Sequence, residues 1–349
     1  MYEQAVHHTN SATALDGGVH ARGLGKRFGD LWALRDLDLD VAPGTVLGLL
    51  GHNGAGKTTT IRILTTLSVP TTGAATVAGF DVAQDAHAVR RRIGVAAQQA
   101  TVDGLLSARL NLELIGRLHR LSRTDARRRA DELLERLDLT DAATRLVKTF
   151  SGGMRRRLDL AASLVAAPEV LFLDEPTTGL DPRSRGDLWD LLRGLVRDGT
   201  TLVLTTQYLE EADRLADDIV VLDHGRAVAH GSPAELKAQI GTDRLDVTVA
   251  SGTELVAAAS VLGAFGSGEP TIDDERLVVT LRLRDGVRIV DVVRALDDAG
   301  IDAHDVARRE ATLDDVFLTL TDPGTDPGTD PGTDPGAAPT APQHEGDPR

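Results

Sequence analysis

The sequence predicts an α/β fold, a largely parallel sheet covered by helices on both faces, followed by a small C-terminal α+β domain. Three observations carry that prediction. Short apolar runs recur at Val46–Leu50, Val170–Leu173 and Thr201–Leu204, as expected of strands buried on both faces. Segments of helical period separate them, which is the alternation of a doubly covered parallel sheet. Each run ends in residues with chemical potential: a glycine loop at 51–59, the acids Asp174 and Glu175, and Thr205-Thr206-Gln207. The carboxyl ends of the strands are where such sheets keep their ligands.

Composition narrows the functional classes. The chain has 349 residues, enough for two domains, and 41% are hydrophobic, enough for a buried core. Aromatics make up only 3%, which argues against base-stacking platforms for single-stranded nucleic acid. The formal net charge is −15, and an acidic chain lacks the cation density that drives sequence-independent DNA binding, so no nucleic acid partner is expected. Cysteine is absent, which removes disulfides, thiolate zinc sites and cysteine nucleophiles. No apolar run approaches the roughly 20 residues that cross a bilayer, so any membrane role is expected to come through a partner.

In chain order, residues 1–17 are polar, without the apolar segment of a secretory signal, and read as a disordered N-terminal tail. Val19 to Val41 reads as short strands with a turn at Phe28-Gly29-Asp30, where Phe28 taken alone reads as core rather than as a ligand contact. Val46–Leu50 is a buried strand that enters Gly51-His52-Asn53-Gly54-Ala55-Gly56-Lys57-Thr58-Thr59, and a helix follows. Strand, G-x-x-x-x-G-K-[ST], helix is the phosphate-binding P-loop in its required setting. Glycines let the backbone approach a polyanion, and loop amides with the positive helix end face it. Lys57 adds a point charge for the terminal phosphates and Thr58 a hydroxyl for Mg²⁺.

Thr71-Thr72-Gly73 and Ala78-Gly79-Phe80-Asp81 read as turns, and Ile93–Ala96 as a strand ending at Gln98-Gln99. Thr101 to Leu146 is helical in period, with Ala130, Leu133, Leu134 and Leu137 on one face. Ser151-Gly152-Gly153-Met154 opens another helix, whose core face is Leu158, Ala161, Ala162 and Val165. Taken alone, Ser151 is an N-cap.

Val170–Leu173 runs straight into Asp174 and Glu175. That is the Walker B arrangement, with one acid for the metal and one to orient or deprotonate a water. Asp181 with Pro182 caps a helix whose buried stripe is Leu188, Leu191, Leu192 and Leu195.

Past Gly231-Ser232-Pro233 the pattern changes to an α+β module. Strands are expected at 245–250, 277–283 and 301–306, and helices at 253–262, 287–299 and 313–320. From Thr321 the unit Thr-Asp-Pro-Gly repeats four times, and 321–349 read as a disordered acidic tail. The expected division is 18–235, 240–320 for a regulatory or dimer-forming domain, and the two tails.

Taken together and in this order, the P-loop, Ser151-Gly152-Gly153-Met154, Asp174-Glu175 and Gly179-Leu180-Asp181 resemble the ATP-binding subunit of ABC transporters. Phe150 to Asp159, Thr205 to Ala212 and Leu313 to Leu318 are similar to the daunorubicin/doxorubicin-resistance type of exporter. The resemblance implies a P-loop NTPase ABC nucleotide-binding domain, with a RecA-like core and a helical subdomain at about 99–160. It also implies ATP and Mg²⁺ as cofactors.

By the same resemblance, Phe28 stacks on adenine, and Gly51 to Thr59 hold the phosphates. Gln98 senses the metal and the attacking water, while Thr58, Gln98 and Asp174 serve Mg²⁺. Ser151, Gly152 and Gly153 bind the γ-phosphate held by the opposite subunit. Glu175 is the catalytic base, and Asp181 links the two sites. The implied assembly is a head-to-tail homodimer beside a separate transmembrane permease, peripheral on the cytoplasmic side of the cell membrane.

Gln207 departs from the family, which mostly has histidine there. An amide still donates to a phosphate and accepts from water, but carries no proton at neutral pH. Two other readings compete: a soluble ABC ATPase acting on nucleic acid or ribosomes, and a slow-turnover nucleotide sensor. The first usually shows coiled-coil inserts or tandem cassettes, whereas fewer than 100 residues separate Lys57 from Ser151 here. The second rests on Gln207 alone.

Overall fold

The apolar runs read from the sequence form the centre of a six-stranded sheet. The computed structural model describes residues 18–96, 102–239, 244–284, 286–309 and 312–321. Gln98, the expected N-terminal tail 1–17 and residues 322–349 of the expected acidic tail lie outside the described residues, while Thr321 ends a helix rather than opening that tail.

β1 (Val19–Phe28) and β2 (Leu31–Val41) form a hairpin, and β3 (Val46–Leu50) leads through the glycine loop into α1 (Lys57–Leu64). β4 (Thr72–Val77), β5 (Phe80–Asp81), α2 (Ala86–Arg90) and β6 (Ile93–Ala96) follow. Thr72 therefore starts a strand, and the expected turn at 71–73 gives way to pairing of β4 with β1. The helical region comprises α3 (Ala108–Leu118), α4 (Arg123–Arg136) and α5 (Gly152–Leu164). The chain re-enters the sheet through β7 (Val170–Asp174), α6 (Pro182–Arg197), β8 (Thr201–Thr206) and α7 (Leu209–Leu215). It closes the core with β9 (Asp218–Asp223), β10 (Arg226–Gly231) and α8 (Pro233–Gln239). The sequence reading does not place β9 and β10, although Ile219-Val220-Val221-Leu222 has the β-branched character of a buried strand.

Strand order is β10-β9-β3-β8-β7-β6, parallel throughout except for the antiparallel edge strand β10. Every residue of β3, β7 and β8 is buried, as strands covered on both faces must be. One face packs Leu171, Leu173, Leu202 and Leu204 against α3 to α6. The other packs Leu47, Leu49, Phe172 and Val203 against α1 and a second, four-stranded sheet of order β2-β1-β4-β5. Along α6 the buried stripe includes Trp189, while Leu191 is only half-buried. The β8 strand lies between β3 and β7, so the phosphate loop and the two acids emerge one strand apart.

The C-terminal module runs β11 (Arg244–Val249), α9 (Leu255–Gly263), β12 (Thr271–Asp273), β13 (Val278–Arg282), α10 (Ile289–Asp298) and β14 (Ala303–Arg309). Its sheet order, β12-β13-β11-β14, is antiparallel at every pairing, the split β-α-β arrangement of ferredoxin-like domains. Leu245, Val247, Val279 and Leu281 point to one face under α9 and α10. α11 (Leu313–Thr321) does not join that core. Leu313 and Val316 pack with Leu236, Ala212, Ile219, Val221 and Leu50, so the last helix returns to the first domain. Among the described residues, no helix is long and apolar enough to cross a membrane.

Candidate functional site

The phosphate loop is shaped by close backbone approaches. A Cβ on Gly51 would lie 2.4 Å from the carbonyl oxygen of Leu222, and Gly56 holds φ +111° as the cap of α1. Neither place admits a side chain without moving the backbone. The loop leans on the β9–β10 turn, where Gly225 N–H donates to Ala55 O at 3.0 Å.

Lys57, the first residue of α1, is 5% exposed. Its ammonium donates to Gly51 O at 2.6 Å and His52 O at 3.1 Å, and lies 3.9 Å from Glu175 Oε1. Burial pushes its pKa below the ordinary lysine value, and the Glu175 and Asp174 charges oppose that shift. The ammonium is thus held where an anion in the loop gains most from it.

At the end of β7, Asp174 accepts from Thr205 Oγ1 at 2.5 Å and from Thr58 Oγ1 at 3.4 Å. One carboxylate therefore joins the phosphate-loop helix to β8. Glu175 follows with φ +48°, a left-handed conformation uncommon for a side-chain-bearing residue and found at strained functional sites. Its amide donates to Thr205 O and to Thr205 Oγ1, both at 3.1 Å, and its Oε2 accepts from Thr178 Oγ1 at 3.3 Å. Thr205 holds both acids, a role the sequence reading did not assign.

A buried polar layer lies beneath the acids. Arg156, from α5, donates through Nε to Pro176 O at 2.6 Å and through Nη2 to Asp174 O at 3.2 Å. Glu211, from α7, is fully buried and accepts from Trp189 Nε1 at 3.2 Å. Desolvation raises the Glu211 pKa against the opposing pull of Thr206, Trp189, Thr177 and the Arg156 charge. This layer fastens α5, the acid loop and α7 to one another.

The remaining expected residues fall around this centre. Ser151 caps α5, its Oγ accepting from Met154 N–H at 3.3 Å, and Ser151 and Gly152 are exposed. Gly152 lines a cleft of about 230 Å³ with Glu175, Thr178 and Gly179. Asp181 caps α6, accepting from Ser184 N–H at 3.0 Å and Ser184 Oγ at 2.7 Å, and these bonds hold its carboxyl below the ordinary range. Gln207 stands exposed just past β8.

Phe28, at the tip of the β1–β2 hairpin, is 55% exposed, with Lys26 Nζ 5.1 Å from its ring centre, so it is no part of the core that its apolar character alone suggests. Its hairpin partner β2 touches the phosphate loop: a Cβ on Gly56 would lie 2.8 Å from Ala33 O. His52 turns aside from the loop mouth to Asp223, while Asn53 and Gly54 are exposed. Thr58 and Thr59 lie in the first turn of α1. Arg156, Glu211 and Thr205 lie within segments that the sequence singles out, but the motifs give them no role. Each acts across elements far apart in sequence.

Comparison with known proteins identifies the relatives of this chain. Residues 34–178 match the model of the ABC transporter family. The daunorubicin resistance ATP-binding protein DrrA3 of Streptomyces coeruleorubidus is 55% identical over 307 residues, covering 88% of this chain and 96% of that protein. The daunorubicin/doxorubicin resistance ATP-binding protein DrrA of Streptomyces peucetius is 46% identical, covering 87% and 92%. A solved dimeric ATP-binding cassette in a post-hydrolysis state with ADP and Pi superposes with a TM-score of 0.56 at 27% identity, covering 61% of this chain and 98% of that one.

Proposed function

The chain belongs to the ATP-binding subunits of ABC transporters, among those of daunorubicin-resistance exporters, and from that premise we propose how its residues work and what they serve. It is an ATPase and the ATP-binding subunit of an exporter. In our reading it powers efflux of a drug-like, hydrophobic compound through a separate permease, from the cytoplasmic side of the membrane. The names of its relatives support the drug class.

The loop amides of Gly51 to Thr59 and Lys57 take the β- and γ-phosphates of ATP, and Phe28 takes the adenine. Asp174 and Thr58 present a carboxylate and a hydroxyl oxygen 3.4 Å apart, hard donors that fit Mg²⁺, with Gln98 as a further ligand. When bound, that ion supplies charge neutralisation on the phosphates. Glu175 orients the attacking water and accepts its proton, in a conformation that Thr205 fixes. Gln207 orients the γ-phosphate.

The observation that carries the dimer reading is the exposure of Ser151 and Gly152 at a helix N-terminus. The bonds that tie Thr58 and Thr205 to Asp174, and the Lys57–Glu175 ion pair, do not involve them. A capped helix end with exposed amides suits an anion brought by a second copy, placed head-to-tail. Bonds to a charged phosphate are worth about 1.5–3 kcal/mol each, so a few per nucleotide drive closure. Hydrolysis then removes them, and that difference in affinity moves the permease.

Three leucines support a membrane partner. Leu110, Leu114 and Leu118 repeat every four residues along α3 and are at least half exposed, an apolar stripe in want of a cover.

The test is the Glu175→Gln variant, which keeps the site's shape without the base. At saturating Mg-ATP it is expected to dimerise in light scattering, alone or beside the permease, while the wild type turns over. A monomer under both conditions would remove the dimer mechanism. Wild-type turnover no faster than Glu175→Gln would leave Gln207 without a catalytic function.

A further inference from the structure

We propose that His52, Asp223 and His224 form a metal site at the flank of the phosphate loop, taking Zn²⁺. The site is separate from the Asp174–Thr58 pair and rests on none of the dimer reading. Its three ligand atoms lie within 4.8 Å of one another.

The hydrogen bonding of His52 carries the inference. Its Nδ1 is 2.7 Å from Asn53 O, and a carbonyl has no proton to give, so Nδ1 is the donor. Its Nε2 faces Asp223 Oδ1 at 2.8 Å. In a neutral imidazole that nitrogen carries a lone pair, and the carboxylate offers only lone pairs in return. A positive centre belongs between them, either a proton or a metal ion.

His224 decides between the two. Its Nε2 stands 3.9 Å from the same carboxylate oxygen, and its ring meets that of His52 edge-on, centroids 5.3 Å apart. One proton bridges two acceptors, whereas a metal ion takes all three. Zinc sits about 2.0–2.2 Å from imidazole nitrogen and carboxylate oxygen, so binding parts His52 Nε2 and Asp223 Oδ1 from 2.8 Å and draws in the His224 ring, whose exposed side chain is free to turn. The Nδ1–H bond to a backbone carbonyl is also the usual outer partner of a metal-bound histidine, fixing its tautomer. Two nitrogens and one carboxylate suit a borderline cation rather than Mg²⁺, which prefers oxygen alone.

The backbone holds the three ligands side by side. His224 and Gly225 are the two central residues of the β9–β10 turn, at φ +44° and +78°, the paired positive values of a tight hairpin. That turn already bonds the phosphate loop through Gly225 and Ala55. The ion therefore acts as a clip between turn and loop, raising the stability of the nucleotide-free protein.

The test uses the nucleotide-free full chain in chelator-stripped buffer, since ATP would sequester zinc. Titration with Zn²⁺ is expected to show one site per chain and a raised melting temperature. Co²⁺ in its place is expected to give the visible band of a low-symmetry imidazole–carboxylate site. His224→Asn keeps a residue that tolerates positive φ, and it should weaken binding at least tenfold and shrink the melting shift at a given Zn²⁺ concentration, with ATPase activity unchanged. Asp223→Asn should do the same to binding. A His7→Ala/His8→Ala variant controls for the N-terminal pair and should bind as the wild type does. Equal Zn²⁺ affinity in His224→Asn, loss of the site in the His7/His8 variant, or no one-to-one site in the wild type would each overturn the proposal, the last leaving a proton between His52 and Asp223.

Discussion

Thr205 Oγ1 donates to Asp174 and accepts the amide of Glu175, so a single hydroxyl fixes the geometry of both acids. Thr205→Val keeps the shape and removes the hydroxyl, leaving a buried carboxylate oxygen short of its donor. A loss of about 1–3 kcal/mol is expected in chemical denaturation, with ATPase falling further than nucleotide binding, because the strained Glu175 loses a restraint. Binding and turnover falling in step would assign Thr205 a purely structural role.

Glu211 gives a pH dependence of defined sign. Its folded pKa is raised by burial, so the native state holds that proton more tightly than the unfolded chain does. This contribution to stability is fully present below the ordinary glutamate value and is lost as pH rises through the raised one. Glu211→Gln keeps an acceptor for Trp189 and has no proton to lose. The variant should therefore gain on the wild type as pH climbs from the acid side toward neutrality, read as the difference between their urea midpoints. A difference that stays constant with pH would mean that Glu211 does not titrate in that window.

At the scale of elements, α5 opens on two adjacent glycines with opposite surroundings, and only the second of them meets α6. A Cβ on Gly152 meets nothing within 4 Å, whereas one on Gly153 would lie 2.9 Å from Ser184 Oγ, which is bonded to Asp181. Gly152→Ala should leave the melting temperature unchanged yet cut ATPase at least tenfold, because in the proposed dimer the methyl stands in the path of the partner's phosphate. Gly153→Ala should cost about 1 kcal/mol or more as Ser184 and the α6 cap give way. Full activity in Gly152→Ala would show that this helix tip faces no nucleotide.

The same elements show what sequence alone conveys. The phosphate loop, the acid pair and the caps Ser151 and Asp181 are legible because each is a local pattern whose spacing is its geometry. Thr205, Arg156, Trp189 and Glu211 are not, because their roles arise from contacts between strands and helices 18 to 31 residues apart. Periodicity finds the buried face of a helix but not the surface that covers it, and α11 was assigned to the wrong neighbour for that reason.

For the whole molecule, α11 determines whether the two domains behave as one unit. The chain leaves the ATPase core through α8, builds the ferredoxin-like module, and comes back to pack Leu313 and Val316 on α7, α8 and the sheet. That cluster includes Leu50, the residue immediately before Gly51, so the helix buttresses the strand that carries the phosphate loop. Asp315 pairs with Arg244 at the start of β11, tying the returning helix to the module as well. Leu313 is 2% exposed, and cutting it to alanine should remove about 2–5 kcal/mol from a packed site. If the domains are joined as this packing implies, Leu313→Ala lowers the temperature at which the chain loses ATP binding, and both domains melt together. Two separate transitions, with only the later segment's shifted by the substitution, would mean that the module hangs free and that α11 carries no load for the nucleotide site.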